Sequence, residues 1–364
     1  MNTLPDHFYE LLHHIEPDAD RIELAKEYPS KVRNFLKSSE ILHTEDPFSR
    51  LAGSYARGTA ISNIKDVDIL LFVSQDYKEK VSSGAEQVLR DLYSVLRKLP
   101  DALEIEGHLD PEAVALRKQR RSINVHLEGI GCYFDLDIVP VTAPNGVDDV
   151  LYIPDRDWSK WVETQPLGYS LALSKLNREN GGKVVRLIKL FKHWRDVQMN
   201  ILRPKSYWLE CLIYNLVSKM VIKTDGKSYA ELSYDILNAI NIEFTPYLNT
   251  KDKVPPISDP MLKNNVAWNW ERSAFETFMR RVEESLKWAS RALEEEQEQA
   301  INLWKKVFGN DFFPSNLENS LSTYSRAALT GSLHTSPNGL IGITVEKNPS
   351  LPIPQHKFYG EDEN

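Results

Sequence analysis

The sequence is poor in cysteine, in long apolar runs and in excess positive charge, and each shortage excludes a class of protein. Its two cysteines, Cys132 and Cys211, stand far apart, and no other Cys or His accompanies either at the spacing of a zinc motif. No apolar run reaches the roughly 18 residues of a membrane span, and no leader-like segment opens the chain. We therefore expect a cytoplasmic protein with reduced thiols and no membrane partner.

The charge balance argues against a general nucleic-acid-binding surface. The chain has 44 Lys and Arg against 52 Asp and Glu, a formal net charge of -8. Nucleic acid is therefore not expected as a partner, although a local basic channel is compatible with these totals. With 364 residues and 41% hydrophobic content, the chain is long enough to bury a sizeable core in two lobes.

The apolar pattern changes along the chain and predicts an α+β fold with two lobes. Strand-like runs at 69–73, 122–129 and 132–141 accompany one long helix at about 85–99, which indicates a mixed-sheet lobe. The later part has the spacing of long helices. We predict N-terminal helices packing on the core at 1–40, a sheet lobe at 41–160, a helical lobe at 161–330 and an exposed or loosely ordered tail at 331–364.

Two pairs of carboxylates stand one residue apart in strand-like runs, Asp66 with Asp68 in DVDILLFV and Asp135 with Asp137 in FDLDIVPV. Because side chains two residues apart lie on the same face of a strand, the members of each pair project together. Like charges this close are costly unless a cation neutralises them. Carboxylates at short spacing suit Mg²⁺ or Mn²⁺. An isolated acid pair is more often a solvated strand end than a metal site. The residues around the pair must therefore distinguish between the two.

A Gly-Ser pair, Gly53 and Ser54 in GSYARGT, lies a short way upstream of the first acid pair. The backbone N–H groups of a glycine turn and a serine hydroxyl can hold a phosphate chain. A phosphate-binding turn followed by a metal-binding acid pair forms half of a site for nucleotide transfer. A third acid from a neighbouring strand would complete this site.

These motifs resemble the signature of the DNA polymerase β-type nucleotidyltransferases. GSYARGT followed by DVDIL, with FDLDIVP later, carries the resemblance in the first lobe. In the second lobe, VRLIKLFKHW, PKSYWLECL and VPPISDPMLKNNVAWNW resemble segments of the 2′-5′ oligoadenylate synthases and of the cyclic GMP-AMP synthase relatives. The chain is most similar to the bacterial CD-NTases, the cGAS/DncV-like nucleotidyltransferases.

The resemblance implies a bilobed polymerase β-like fold with an oligoadenylate-synthase-like helical lobe. It also implies an enzyme of anti-phage signalling that condenses nucleoside triphosphates into a cyclic di- or trinucleotide and releases pyrophosphate by a two-metal mechanism with Mg²⁺ or Mn²⁺. The expected substrate is ATP, with GTP or a pyrimidine triphosphate as further candidates. The expected partners are a downstream effector that binds the product and a regulatory protein.

The resemblance also assigns roles to residues of the sheet lobe. The metal-binding and catalytic acids of the family correspond to Asp66, Asp68 and Asp137, and Gly53 with Ser54 corresponds to the triphosphate-contacting turn. For Asp135, a neighbour that tunes the site or faces solvent is favoured over a metal ligand. Arg57 is either a phosphate contact or an exposed turn arginine.

Three residues of the helical lobe match nucleotide-binding positions of the family. Lys192 and Ser206 match positions that reach the donor phosphates from that lobe, and Tyr207 matches a position whose ring can stack on a base. For Tyr207, a role as a packing aromatic is a close competitor. The basic run RKQRR at 117–121 either extends toward phosphates or, more commonly for such a run, forms a solvated turn.

Two other functions stay open at this point. One is an RNA 3′-end nucleotidyltransferase of the CCA-adding kind, which the VP after Asp137 also fits, although no basic RNA-binding domain follows. The other is an inactive nucleotide-binding module, which the presence of all three acids argues against. The sequence does not determine the bases, the ring size, the linkage, the activating signal, the role of the tail or the oligomeric state.

Overall fold

The computed structural model describes residues 2–62, 66–79, 83–105, 111–128, 133–315, 333–335 and 341–343. These residues form two compact units. The helical unit lies within Met1–Glu16 and Leu173–Lys357, and the sheet unit lies within Pro17–Ala172. The two units are described separately below.

The described residues contain runs of strands and runs of helices, as is typical of an α+β protein. The strands are β1 (Thr44–Ala52), β2 (Asp66–Val73), β3 (Val114–Lys118), β4 (Ile123–Leu127), β5 (Phe134–Val141), β6 (Leu151–Asp155), β7 (Lys160–Thr164), β8 (Leu333–Thr335) and β9 (Ile341–Ile343). The helices are α1 (Pro5–His14), α2 (Ala19–Lys37), α3 (Gly53–Ala56), α4 (Asp76–Glu79), α5 (Gly84–Leu96), α6 (Leu99–Ile105), α7 (Pro166–Glu179), α8 (Lys183–Gln198), α9 (Ser206–Ser218), α10 (Tyr229–Leu248), α11 (Arg272–Glu294) and α12 (Gln297–Phe308), with a 3-10 turn at Pro111–Ala113.

The sheet unit is built on a five-stranded mixed sheet with the order β1-β2-β5-β4-β3. Strands β2 and β5 are parallel, whereas the other neighbouring pairs are antiparallel. Strands β6 and β7 form a separate antiparallel hairpin. The predicted α+β fold with a mixed-sheet lobe is therefore confirmed.

The two faces of the sheet differ in chemistry because apolar and polar residues alternate along its strands. Val67, Ile69 and Leu71 of β2 are fully buried in the main core cluster, which also contains Val88 and Leu92 of α5. Intervening residues of β2 and β5 lie on the opposite face, where a smaller apolar cluster covers only part of the sheet. The part of that face toward the start of β2 and β5 carries the acids.

The sequence pattern predicted the apolar strands but not the polar or short ones. Strands β2, β4 and β5 and helix α5 correspond to the runs and helix predicted. Strand β1 has the sequence TEDPFSRLA, which contains a proline and no clear alternation, and a register shift between Thr44 and Ser49 interrupts its pairing. Strands β3 (VALRK), β6 (LYIPD) and β7 (KWVET) have five residues each and no clear alternation, whereas the equally short β4 (INVHL) has an apolar residue at every second position.

The core of the helical unit is aromatic. Trp194 of α8 is fully buried, and its indole N–H donates to the Ser285 hydroxyl of α11 at 2.9 Å. Phe8 of α1 contacts Trp304 and Phe308 of α12 edge to face, with ring centroids 5.0 and 5.7 Å apart. The burial of these large rings and their edge-to-face contacts hold the helices together. Among the described helices, none is both long enough and apolar enough to cross a membrane.

The division between the units differs from the boundaries predicted at residues 40 and 160. Helix α1 buries its apolar side in the helical unit, whereas α2 contributes Ala25, Val32 and Leu36 to the core of the sheet unit. The two N-terminal helices therefore belong to different units, which divide after Glu16, because α1 packs in the helical unit and α2 packs in the sheet unit. Most of the predicted tail lies outside the described residues, and its described part is the hairpin of β8 and β9.

Candidate active site

The structure brings the predicted acids to one face of the sheet. In the parallel pair of β2 and β5, Asp66 lies opposite Asp135 and Asp68 lies opposite Asp137. Since residues two apart on a strand share a face and paired residues of parallel strands point the same way, all four carboxylates project from that face. Asp66 is exposed, and the other three are half-buried. The predicted convergence of Asp66, Asp68 and Asp137 on one surface is what this register produces.

The environment of Asp137 disfavours its charged form more than that of an ordinary surface acid. Burial raises the pKa of the Asp137 carboxyl, and the negative charges of Asp66 and Asp135 raise it further. A hydrogen bond from Asn124 Nδ2 to Asp137 Oδ1, at 2.9 Å, opposes these effects because it stabilises the carboxylate. The site therefore accumulates negative charge that a cation would offset.

Asp135 is engaged by basic groups at the edge of this face. Its Oδ1 lies 2.8 Å from His126 Nδ1 and 3.8 Å from an Arg117 nitrogen. His126 also contacts Glu128 through Nε2 at 2.9 Å. These contacts match the interpretation of Asp135 as a neighbour of the site, since its carboxylate already faces a histidine.

Gly53 brings the backbone next to the acids. It begins the single helical turn α3 with φ +71°, a conformation that residues with side chains rarely adopt. A Cβ atom at this position would lie 1.8 Å from Asp68 Oδ2, so the carboxylate occupies the space that a side chain would need. Only glycine therefore allows α3, with Ser54 as its second residue, to approach Asp68 this closely.

The donor set fits a hard divalent cation. Carboxylate oxygens are the protein ligands that Mg²⁺ prefers, and Asp66, Asp68 and Asp137 supply them from one face of the sheet. As the side chains stand, no three His, Cys, Asp or Glu residues in the described part of the chain are arranged so that they enclose a metal ion. The chemistry and register of the three acids thus fit a metal, and binding would require their carboxylates to turn toward it.

The residues predicted to bind nucleotide from the helical unit have partners within that unit. Lys192 is 2% exposed, and its Nζ lies 2.6 Å from Oε1 of Glu210, which is equally buried. Ser206 accepts a hydrogen bond from Arg195 at 2.8 Å. The Tyr207 hydroxyl donates to Asp259 Oδ2 at 2.8 Å. In this arrangement the charge of Lys192 is neutralised by α9, a pairing that sequence spacing did not reveal.

Arg57 and the arginine pair Arg120 and Arg121 have side-chain partners within the sheet unit. Arg57 is buried, and its guanidinium lies 5.3 Å from the ring centre of Tyr169, so it is not an exposed turn arginine. Arg120 and Arg121 contact the two carboxylate oxygens of Asp155 at 2.8 and 2.9 Å, and Asp155 is fully buried. Arg120 and Arg121 keep side chains that are 33% and 42% exposed, so they lie in a solvated turn and also pair with a buried carboxylate, which requires cationic partners.

Of the two cysteines, the structure describes one. Cys211 is fully buried in the apolar helix α9. Cys132 lies outside the described residues.

Comparison with known proteins places this geometry among nucleotide second-messenger synthases. A family model described as "Second Messenger Oligonucleotide or Dinucleotide Synthetase domain" matches residues 1–177. A cyclic AMP-AMP-AMP synthase of Acinetobacter sp. (strain ATCC 27244 / 9458) is 29% identical over 361 residues, which cover 96% of this chain and 96% of that protein. A cyclic AMP-AMP-AMP synthase of Escherichia coli (strain MS 115-1) is 25% identical over 80% of this chain and 90% of its own length.

A solved structure supports the same fold. The complex of E. coli MS115-1 CdnC with HORMA-deltaN contains a chain that superposes with a TM-score of 0.65 at 19% identity, covering 85% of this chain and 98% of that chain. Likeness at this level of identity establishes the nucleotidyltransferase fold.

Proposed function

Because the chain belongs to the CD-NTases, the cGAS/DncV-like nucleotidyltransferases, we propose that its product is a cyclic trinucleotide of AMP units. The chain is an enzyme that condenses nucleoside triphosphates into a cyclic oligonucleotide second messenger in CBASS-type anti-phage defence. The finer assignment to AMP is supported by two relatives, both named as cyclic AMP-AMP-AMP synthases. One of them matches along 96% of each chain.

The catalytic part of the proposal depends above all on the register of β2 and β5. This register puts Asp68 beside Asp137 and keeps Asp66 on the same face. Enzymes of this family use divalent metal ions, and we propose that these three acids hold two Mg²⁺ or Mn²⁺ ions. Bound there, the ions would offset charge on the triphosphate and lower the pKa of the acceptor ribose hydroxyl.

The chain's own groups would complete the reaction around those acids. Asp137 would orient the acceptor ribose hydroxyl and accept its proton as a general base. The turn that begins at Gly53 would bring the backbone and the Ser54 hydroxyl to the phosphates of the donor nucleotide. A linear intermediate would then be joined end to end by the same groups to close the ring.

The helical unit would contribute Lys192, Ser206 and Tyr207 to nucleotide binding. Lys192 can reach a phosphate only after its ammonium leaves Glu210, since the two side chains are paired and buried. Phosphate would then take the place of the Glu210 carboxylate as the counter-ion of Lys192. The Tyr207 ring would stack on a base while its hydroxyl stays on Asp259.

Regulation and signalling would require further proteins. The E. coli structure contains CdnC together with HORMA-deltaN, which makes a regulatory protein partner a reasonable expectation for this chain as well. The product would act by binding a downstream effector.

The proposal is tested by product analysis. Purified protein is incubated with radiolabelled ATP, GTP, CTP and UTP and with Mg²⁺ or Mn²⁺, treated with phosphatase, and analysed by chromatography and mass spectrometry. The Asp66→Ala/Asp68→Ala variant runs in parallel. We expect a phosphatase-resistant product from ATP alone, with the mass of cyclic AMP-AMP-AMP, from the wild type only.

Other outcomes would change the conclusion in defined ways. A resistant product that requires GTP or a pyrimidine triphosphate overturns the AMP assignment and retains the enzyme class. Incorporation that depends on added RNA would support an enzyme of RNA 3′ ends. Nucleotide binding without turnover, even after addition of a cognate regulatory partner, would indicate an inactive binding module.

A further inference from the structure

The carboxylate of Asp137 is held by side-chain amides from neighbouring elements. Asn124 lies opposite Asp137 in the pairing of β4 with β5, and its Nδ2 donates to Asp137 Oδ1 at 2.9 Å. The side-chain amide of Gln119, in the turn between β3 and β4, also faces this carboxylate and lowers the pKa of Asp137. A second donor from the same hairpin would restrict the orientation of Asp137 more than Asn124 could alone.

Asn124 carries an energetic penalty that an apolar residue would avoid. Its side chain is 3% exposed, and its Oδ1 is buried without a hydrogen-bond partner among the described residues. An unsatisfied buried acceptor is unfavourable, because it has lost its hydrogen bonds to water. Its sequence neighbours Ile123 and Val125 are fully buried and apolar, so the strand itself does not require an amide. The hydrogen bond to Asp137 is the contact that accounts for an amide at this position.

The amide of Gln119 is itself oriented by its turn. Its Oε1 accepts from the Ser122 hydroxyl at 2.8 Å, so its NH₂ group is left to donate to Asp137. The backbone N–H of Gln119 donates to the Ser122 carbonyl at 3.1 Å, which closes the turn. Gln119 is exposed, so its position depends on these local bonds rather than on packing.

The basic run fixes this turn to the rest of the sheet unit. Arg120 and Arg121 bind opposite oxygens of the fully buried Asp155 at the end of β6. The backbone N–H of Arg156 donates to the Arg120 carbonyl at 3.0 Å, and the Arg120 guanidinium lies 4.3 Å from the ring centre of Trp158. Arg120 and Arg121 therefore anchor this turn to β6.

We propose that Asn124 and Gln119 are positioning residues that hold the Asp137 carboxylate in the orientation needed for metal binding and catalysis. The clamp of Arg120 and Arg121 on Asp155 fixes the turn that carries Gln119. This inference rests on the proposed function, because Asp137 must be a catalytic acid for its orientation to matter. Partners that orient a metal ligand commonly change metal affinity or activity by about 10–100-fold when they are removed.

The test compares variants that remove each donor without adding charge. Asn124→Leu replaces the buried amide with an apolar side chain of similar size. Gln119→Leu changes an exposed residue, so we expect the fold to tolerate it. His126→Gln is the matched control, because His126 lies on the same strand and binds Asp135 instead of Asp137. The kcat and the KM for ATP are measured together with thermal unfolding. Mn²⁺ affinity is measured by electron paramagnetic resonance in the presence of a non-hydrolysable ATP analogue.

We expect each leucine variant to lower kcat and Mn²⁺ affinity by about tenfold or more. The KM for ATP should change much less, and His126→Gln should leave kcat and Mn²⁺ affinity close to wild type. Wild-type kcat and Mn²⁺ affinity in Gln119→Leu would overturn the role of Gln119, whatever the stability of the Asn124 variant. Equal losses in His126→Gln would overturn the specific role of both amides.

A double-mutant cycle tests the clamp. If Asp155 acts through Gln119, Asp155→Asn should lower kcat, and adding it to Gln119→Leu should lower kcat no further. Independent, additive losses would overturn the link between the clamp and Gln119. Asp137→Ala separates this inference from the proposed function. Loss of activity in Asp137→Ala with normal kinetics in the amide variants refutes only the positioning role, whereas full activity in Asp137→Ala refutes the catalytic assignment itself.

Discussion

Gly53 and Asp68 lie so close together that Gly53 has no room for a Cβ atom. A Cβ on Gly53 would lie 1.8 Å from Oδ2 of Asp68 and 2.8 Å from its Cγ. The turn proposed to bind phosphate and the first acid pair, separate motifs in the sequence, are therefore in direct contact through a position that has no side chain.

Replacement of Gly53 should abolish activity through that contact. Gly53→Ala would both strain a backbone at φ +71° and displace the Asp68 carboxylate. Gly226→Ala is a matched control, because Gly226 has φ +69° and its Cβ would meet nothing within 4 Å. We expect both variants to lose about 1–2 kcal/mol of stability from backbone strain. Only Gly53→Ala should lose product formation, and equal activities in the two would contradict the contact's importance.

The acids should differ sharply in their contribution to rate. We expect a large loss of kcat in each of the variants Asp66→Asn, Asp68→Asn and Asp137→Asn. The loss should correspond to about 3 kcal/mol or more of transition-state stabilisation, as for other electrostatic catalytic groups. Asp135→Asn should have a much smaller effect, because the carboxylate of Asp135 is bound to His126. Initial rates at saturating ATP and Mg²⁺ test this order. A loss at Asp135 as large as the others would make it a metal ligand.

Variants of the buried pair Lys192 and Glu210 distinguish a role in folding from a role in nucleotide binding. Glu210→Gln should destabilise the protein by about 3–5 kcal/mol, because it leaves a buried ammonium without its counter-charge. The double variant Lys192→Met/Glu210→Gln should recover much of that stability, since both charges are then removed. Thermal unfolding measures this part.

The same double variant reports on phosphate binding. Its KM for ATP should rise well above the wild-type value if Lys192 reaches the triphosphate. A stable double variant with an unchanged KM and kcat would assign the pair to folding alone.

His193 should make the protein less stable in mild acid. Burial lowers its pKa below the ordinary value of 6.5, against the opposing effect of Asp196. The unfolded chain therefore binds the proton more readily than the folded chain, and stability must fall as pH drops below about 6.5. Urea unfolding of wild type and His193→Gln between pH 7.5 and 5 measures this difference. The gap between the two should narrow on acidification, and a constant gap would show that His193 contributes nothing to the pH dependence.

The sequence by itself determined the elements whose residues alternate or recur with a strong period. The apolar alternation in DVDILLFV and FDLDIVPV predicted β2 and β5, and it predicted that the acids within each pair share a face. The helical spacing predicted α5 to within a few residues. Local geometry is sufficient for such inferences, because it depends on the repeat of one chain segment.

Only the tertiary structure decided which segments meet. That Asp68 pairs with Asp137, that Gly53 contacts Asp68 and that Asn124 binds Asp137 all depend on strand order and register, which no single segment encodes. Burial is decided in the same way: Lys192 and Asp155 read as ordinary surface charges until their partners Glu210, Arg120 and Arg121 are placed around them. The physical reason is that a contact between distant residues is a property of the packed chain, whereas periodicity is a property of its local backbone.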